Sequence, residues 1–133
     1  MSIKYVFDRG LQDLAEEISI LIFPHIHVSR IKCFRSYGSS TKRTVARCHA
    51  MGKLMQLTVG VEAHYALEFL SEKFDKMPEE EKVKVVIHEL MHIPKTFGGG
   101  FRYHDHVTDR NVDKMYREYM KVKNETKKDY FKI

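Results

Sequence analysis

Cysteine is scarce in this chain: Cys33 and Cys48 are the only two, and they do not form a C-x-x-C pair. That excludes a cysteine zinc knuckle and a redox dithiol. Both are expected to be buried strand residues, with a disulfide between adjacent strands as the lesser alternative. Tryptophan is absent, and the three prolines stand at 24, 78 and 94, outside the apolar periodic segments. Long hydrophobic runs are missing too. Ile18 to Phe23 and Val83 to Ile93 are too short or too interrupted by charge to cross a bilayer, so no membrane partner is expected. The N-terminal segment has no apolar stretch followed by a small-residue cleavage site, which points to a cytoplasmic protein.

What is present suits one domain spanning residues 1–133, with 43% hydrophobic residues and a formal charge of +5. A basic chain can attract polyanions. Here, however, Lys121, Lys123, Lys127, Lys128 and Lys132 crowd the C-terminus, where lysines complement a helix dipole and aid solubility. Nucleic acid is therefore the less favoured partner.

Leu11, Leu14, Ala15, Ile18, Leu21 and Ile22 recur at helical spacing between Asp8, a good N-cap, and Pro24, a stop. Val28–Tyr37 and Thr44–Ala50 read as a β-hairpin around Gly38-Ser39-Ser40. Leu54–Val61, punctuated by Gly52 and Gly60, and Tyr65–Leu70 complete an antiparallel or mixed sheet of three or four strands. Pro78 with Glu79, Glu80 and Glu81 opens a helix that should run to about Ile93. The glycine-rich Phe97–Phe101 is irregular. Thr108 then caps a helix presenting Val112, Met115, Tyr116 and Tyr119.

The chemistry concentrates in His88-Glu89-Leu90-Met91-His92. Residues four apart on a helix differ by about 40° around the axis, so both imidazoles can reach one ion, and neutral imidazole is a preferred zinc ligand. Glu89, about 100° away, stays off the metal yet can take a proton from water activated there. Val83, Val85, Val86, Ile87, Leu90, Met91 and Ile93 make the helix apolar nearly all round. Polar groups inside it need partners, and a metal ion satisfies all three at once. A third ligand must come from beyond the glycine-rich turn. His104 and His106 are the candidates, sharing a side if the segment is extended, with Asp105 between them as a possible orienting group. His25, His27, His49 and His64 read as ordinary strand or surface histidines.

Residues from about Ile31 to Val112 resemble the archaeal and phage zinc metallopeptidases, a zincin-type family. The matching stretches are Ala46-Arg47, Tyr65-Ala66-Leu67-Glu68, Phe74-Asp75-Lys76, Glu80-Glu81-Lys82 and the long run from His88 through Pro94 and Gly98-Gly99-Gly100 to His104. The resemblance implies zinc at His88 and His92, Glu89 as catalytic base and His104 as third ligand. Tyr103 stands where the family pattern often has proline, and His106 is an addition, which keeps His106 as the alternative. The fold expected is α+β: a minimal zincin-like domain, with a small twisted sheet packed on the active-site helix between N- and C-terminal helices.

A peptide or protein substrate is the leading expectation, held as an added strand along an edge at Leu54–Val61 or Tyr65–Leu70. Tyr103 and His106 are candidates for stabilising the oxyanion, against a packing or surface role. A second reading notes that Tyr103-His104-Asp105-His106 is similar to the three-histidine site of bacterial rRNA-maturation endoribonucleases, which have glycine where this chain has Glu89. A third is a zinc-stabilised binding or regulatory protein without turnover.

Overall fold

The computed structural model describes residues 2–131, with side chains described through Lys127. Lys132 and the side chain of Lys128, two of the C-terminal lysines, lie outside the described residues. The first element is a strand the sequence pattern does not announce, β1 (Lys4–Phe7), exposed at all four residues. Helix α1 (Arg9–Ile22) follows, capped as expected by the Asp8 carboxylate, which accepts the Leu11 N–H. A 3-10 turn at Val28–Arg30 leads into β2 (Ile31–Tyr37). Then come β3 (Ala46–Ala50), α2 (Lys53–Val59), β4 (Tyr65–Leu70), the short α3 (Ser71–Phe74), α4 (Glu79–Met91) and α5 (Asp109–Phe131).

The fold is α+β, with a four-stranded mixed sheet in the order β1-β2-β4-β3. β1 is antiparallel to β2, β2 parallel to β4, and β3 antiparallel to β4. This overturns the expected hairpin of Val28–Tyr37 with Thr44–Ala50, because β4 is inserted between the two strands. It overturns the disulfide alternative as well. Cys33 and Cys48 both register with Leu67 from opposite sides, so two inter-strand spacings, about 9.6 Å, separate them, beyond disulfide reach. Both thiols are free, Cys33 buried and Cys48 half-buried. Leu54–Val61 is also corrected: most of it is the helix α2. Its chain turns at Gly60, which has φ +80°. Neither expected edge is therefore an edge strand, since Tyr65–Leu70 is the central β4, and β1 and β3 form the edges.

One sheet face carries Ile31, Cys33, Tyr65, Leu67 and Phe69 into a common core with Leu11, Ala15 and Ile18 of α1, Val86, Ile87 and Leu90 of α4, and Val112 and Tyr119 of α5. A side chain extends the ladder where β1 runs out. Gln12, buried on α1, accepts the Cys33 N–H (2.8 Å) and donates to the Ile31 carbonyl (2.9 Å), as a neighbouring strand would. Helix α4 is not enclosed all round as its composition suggests. Val83 and Val85 are half-buried, and full burial begins at Val86. On α5, the Thr108 hydroxyl accepts the Asn111 N–H at 3.2 Å, as the capping pattern requires.

Candidate metal centre

Helix α4 ends at Met91, with His92 as its C-cap, so the last helical turn delivers His88, Glu89 and His92 where the chain leaves the core. The chain then turns through Pro94 and the glycine-rich loop and returns alongside: the Arg102 N–H donates to the His92 carbonyl at 2.7 Å. The loop is fastened from two sides. The buried Tyr65 hydroxyl accepts the Gly99 N–H (3.0 Å) and donates to the Gly100 carbonyl (2.8 Å). The Gln56 amide of α2 donates to the carbonyls of Met51 and Gly98, both at 2.9 Å. Gly99 has φ +99°, and a Cβ there would lie 2.3 Å from the Met51 oxygen. Only glycine fits this clamp.

The returning chain brings His104 to the helical pair. One ligand nitrogen from each of His88, His92 and His104 falls in a group whose members all lie within 4.8 Å of one another. For a tetrahedral ion with metal–nitrogen bonds near 2.05 Å, ligand nitrogens stand roughly 3.3 Å apart, so a modest closure of the rings completes the set. His106 falls outside this group. Its backbone N–H donates to the Tyr103 carbonyl at 3.1 Å, and the residue lines a different cavity. Tyr103 is 68% exposed and packs edge-on against Phe101.

The electrostatics suit a cation. Burial, then the neighbouring His92 and His104, bring the His88 imidazole down to about 4, so it is neutral at neutral pH, with one ring nitrogen's lone pair available. His92 is also shifted down, by burial first. Its Nδ1 faces the Arg102 carbonyl at 2.5 Å. A carbonyl can only accept, so Nδ1 carries the proton and Nε2 keeps its lone pair. Glu89 is 5% exposed and burial pushes its carboxyl up to about 8. Its nearest charged-type neighbour is His88, 3.8 Å away. Three imidazoles facing one point beside a buried carboxyl fit a metal ion, whose positive charge would favour the ionised form of that carboxyl.

The group opens onto a cleft of about 630 Å³, bordered by Thr44, Val45 and Ala46 on one side and Val85, Val112 and Asp113 on the other. Of the remaining histidines, His49 meets the buried Glu68 at 2.8 Å, His25 donates to the Ile93 carbonyl at 3.1 Å, His27 packs edge-on against Phe97, and His64 is bonded to the Glu62 carbonyl. Tyr65 and Gln56 were invisible as contributors to the site, since a strand tyrosine and a lone glutamine carry no spacing signal. No described helix is long and apolar enough to cross a membrane.

No curated protein and no solved structure gives a significant match to the chain. One family model does match, described as putative phage metallopeptidase, over residues 4–130. With nearly the whole chain matched and a histidine cluster able to hold a metal, the protein belongs to the phage metallopeptidase family.

Proposed function

We propose that the protein is a zinc-dependent peptidase of minimal zincin type, with His88, His92 and His104 as metal ligands and Glu89 as general base. The observation that carries this reading is the convergence of the three imidazoles beside a buried carboxyl, with His88, Glu89 and His104 lining one cleft. An all-imidazole set suits zinc far better than the oxygen-seeking calcium or magnesium. When bound, zinc polarises the scissile carbonyl and acidifies the attacking water.

The chain's own groups would do the rest. Glu89 takes the proton from the water and passes it to the leaving amine, and its burial supports the proton affinity that a base of this kind needs. The Arg102 carbonyl holds His92 in the ligating tautomer. The substrate backbone would pair along β3, the edge strand that borders the cleft, in place of the two edges expected from sequence.

The test is Glu89→Gln assayed with a peptide library alongside metal analysis. Metal content near one zinc per chain with turnover reduced by about 10²–10⁴-fold is expected. Peptide cleavage at the wild-type rate would overturn the mechanism. His104→Ala should lower zinc content where His106→Ala does not, and the reverse result would transfer the third position to His106.

A further inference from the structure

A second cavity, of about 590 Å³, shares no lining residue with the metal cleft. Its walls come from the end of α1 and the start of the loop after it, the end of α4, the loop between α4 and α5, and the first two turns of α5. The floor is apolar: Phe23, Met91 and Ile93 are buried, and Ile22 and Met115 are partly buried against the core. The rim carries Lys95, Arg102 and Lys114, and no aspartate or glutamate lines the cavity. None of these three cations is in an ion pair among the described residues.

Three cations on one rim, offset only in part by Asp105, whose charge reaches His106 on the wall, repel one another, and a low-dielectric wall beneath them strengthens their field. The same field reaches His25, on the wall. Burial first, and then Lys95 and Arg102, hold its imidazole below the ordinary range even though it donates to the Ile93 carbonyl. An apolar floor beneath a net positive rim complements a ligand with an apolar body and one anionic head. The volume falls within the usual span for small-molecule sites. No strand lines the cavity, so no backbone ladder is available for an extended peptide. We propose that this cavity is a binding site for an aliphatic carboxylate of medium chain length, its tail on Phe23, Met91 and Met115 and its head between Lys95, Arg102 and Lys114.

The wall also touches the metal centre. Arg102, which lines the cavity, holds His92 through its own carbonyl and N–H. Occupancy would thus be felt one residue from a candidate metal ligand.

Methionine methyl NMR on the full chain, with and without added zinc, provides the test, because Met91 and Met115 line this cavity and no methionine lines the metal cleft. Decanoate is the probe. Saturable shifts confined to the Met91 and Met115 methyls are expected, with decanol and decylamine binding at least tenfold more weakly. The double variant Lys95→Gln/Lys114→Gln should weaken decanoate at least tenfold while leaving the weak decanol affinity and the melting temperature unchanged; both lysines are exposed, so folding is not at stake. Absence of shifts at both methyls, equal binding of decanol, or unchanged decanoate affinity in the double variant would each overturn the proposal. Tighter binding of N-acetyl-Leu-Leu than of decanoate would overturn the aliphatic assignment in favour of a peptide C-terminus. Zinc-dependent decanoate binding that leaves the two methyls unmoved would place the carboxylate on the metal, against the proposal.

Discussion

Gly99→Ala probes how the site is held, and Gly98→Ala one residue away is its matched control. At Gly99 the backbone has φ +99°, and an added Cβ would meet the Met51 oxygen at 2.3 Å and the Gln56 amide nitrogen at 2.4 Å. At Gly98 the nearest atom is the Thr96 hydroxyl at 3.7 Å, ordinary van der Waals contact, and φ is not positive. Holding alanine in the Gly99 conformation costs about 1–3 kcal/mol. Displacing the Gln56 amide endangers two hydrogen bonds, at about 0.5–1.5 kcal/mol each. Partial relaxation of the loop offsets some of this, so a net loss of about 3 kcal/mol is expected. For a chain of this size that is a fall of roughly 10 °C in Tm. The loop also carries the chain to His104, so zinc affinity should drop at least tenfold, while Gly98→Ala changes neither quantity appreciably. Urea unfolding and zinc titration against a competing chelator measure the two effects. A Gly99→Ala protein as stable and as avid as Gly98→Ala would refute the clamp.

Three further outcomes follow from particular contacts. Tyr65→Phe removes the hydroxyl that serves both Gly99 and Gly100; a loss of about 1–3 kcal/mol in urea unfolding is expected, with weakened zinc binding and no change in secondary structure by circular dichroism. At Asp8, burial opposes ionisation, but the Leu11 N–H and Arg35 outweigh it and the carboxyl sits below its usual 3.8. A folded-state value below the unfolded one means that this stability is present above about pH 4 and is lost as pH falls through the folded value; Asp8→Ala should cost about 1–2 kcal/mol at pH 7 and flatten acid unfolding in that window. Burial pushes the Cys33 thiol up to about 12, so it should resist a disulfide-exchange reagent until unfolding, and oxidation should give no intramolecular cross-link to Cys48.

The helical half of the site was legible in the sequence because a helix converts spacing into direction. His88 and His92 share a face wherever the helix goes, and Glu79, Glu80 and Glu81 announce where it begins. His104 was harder. Its place depends on the path of a glycine-rich loop, and an extended segment would present His104 and His106 to the same side. The segment is instead a turn, with the N–H groups of His106 and Val107 both directed at the Tyr103 carbonyl, and that turn separates the two rings. The fasteners, Tyr65 and Gln56, act over 34 and 42 residues, separations at which a single sequence carries no pairing information. The exposed Leu54 and Leu57 made α2 look like strand, because its seven residues are too few to display a helical period.

The strand order failed for a different reason, and its signal was present. Adjacent strands joined by a short polar segment usually pair, which favoured β2 with β3. Yet Tyr65-Ala66-Leu67-Glu68-Phe69-Leu70 is apolar at all but one position and buried at all but one, the pattern of a central strand flanked on both sides. Strand β3, half-buried to exposed throughout, reads as an edge. Giving β4 the centre forces β2 and β3 apart, and the only glutamate in β4 then needs a cation from an adjacent strand. Arg47 of β3 supplies it at 3.4 Å from Glu68, and the His49 ring adds a hydrogen bond at 2.8 Å. That polar lock on the outer face explains how a short edge strand keeps its register while its other side stays free beside the cleft. Breaking it with Glu68→Gln should therefore loosen β3 and raise KM for a peptide substrate before it alters zinc binding; unchanged KM with reduced zinc content would show that β3 supports the metal group instead of the substrate.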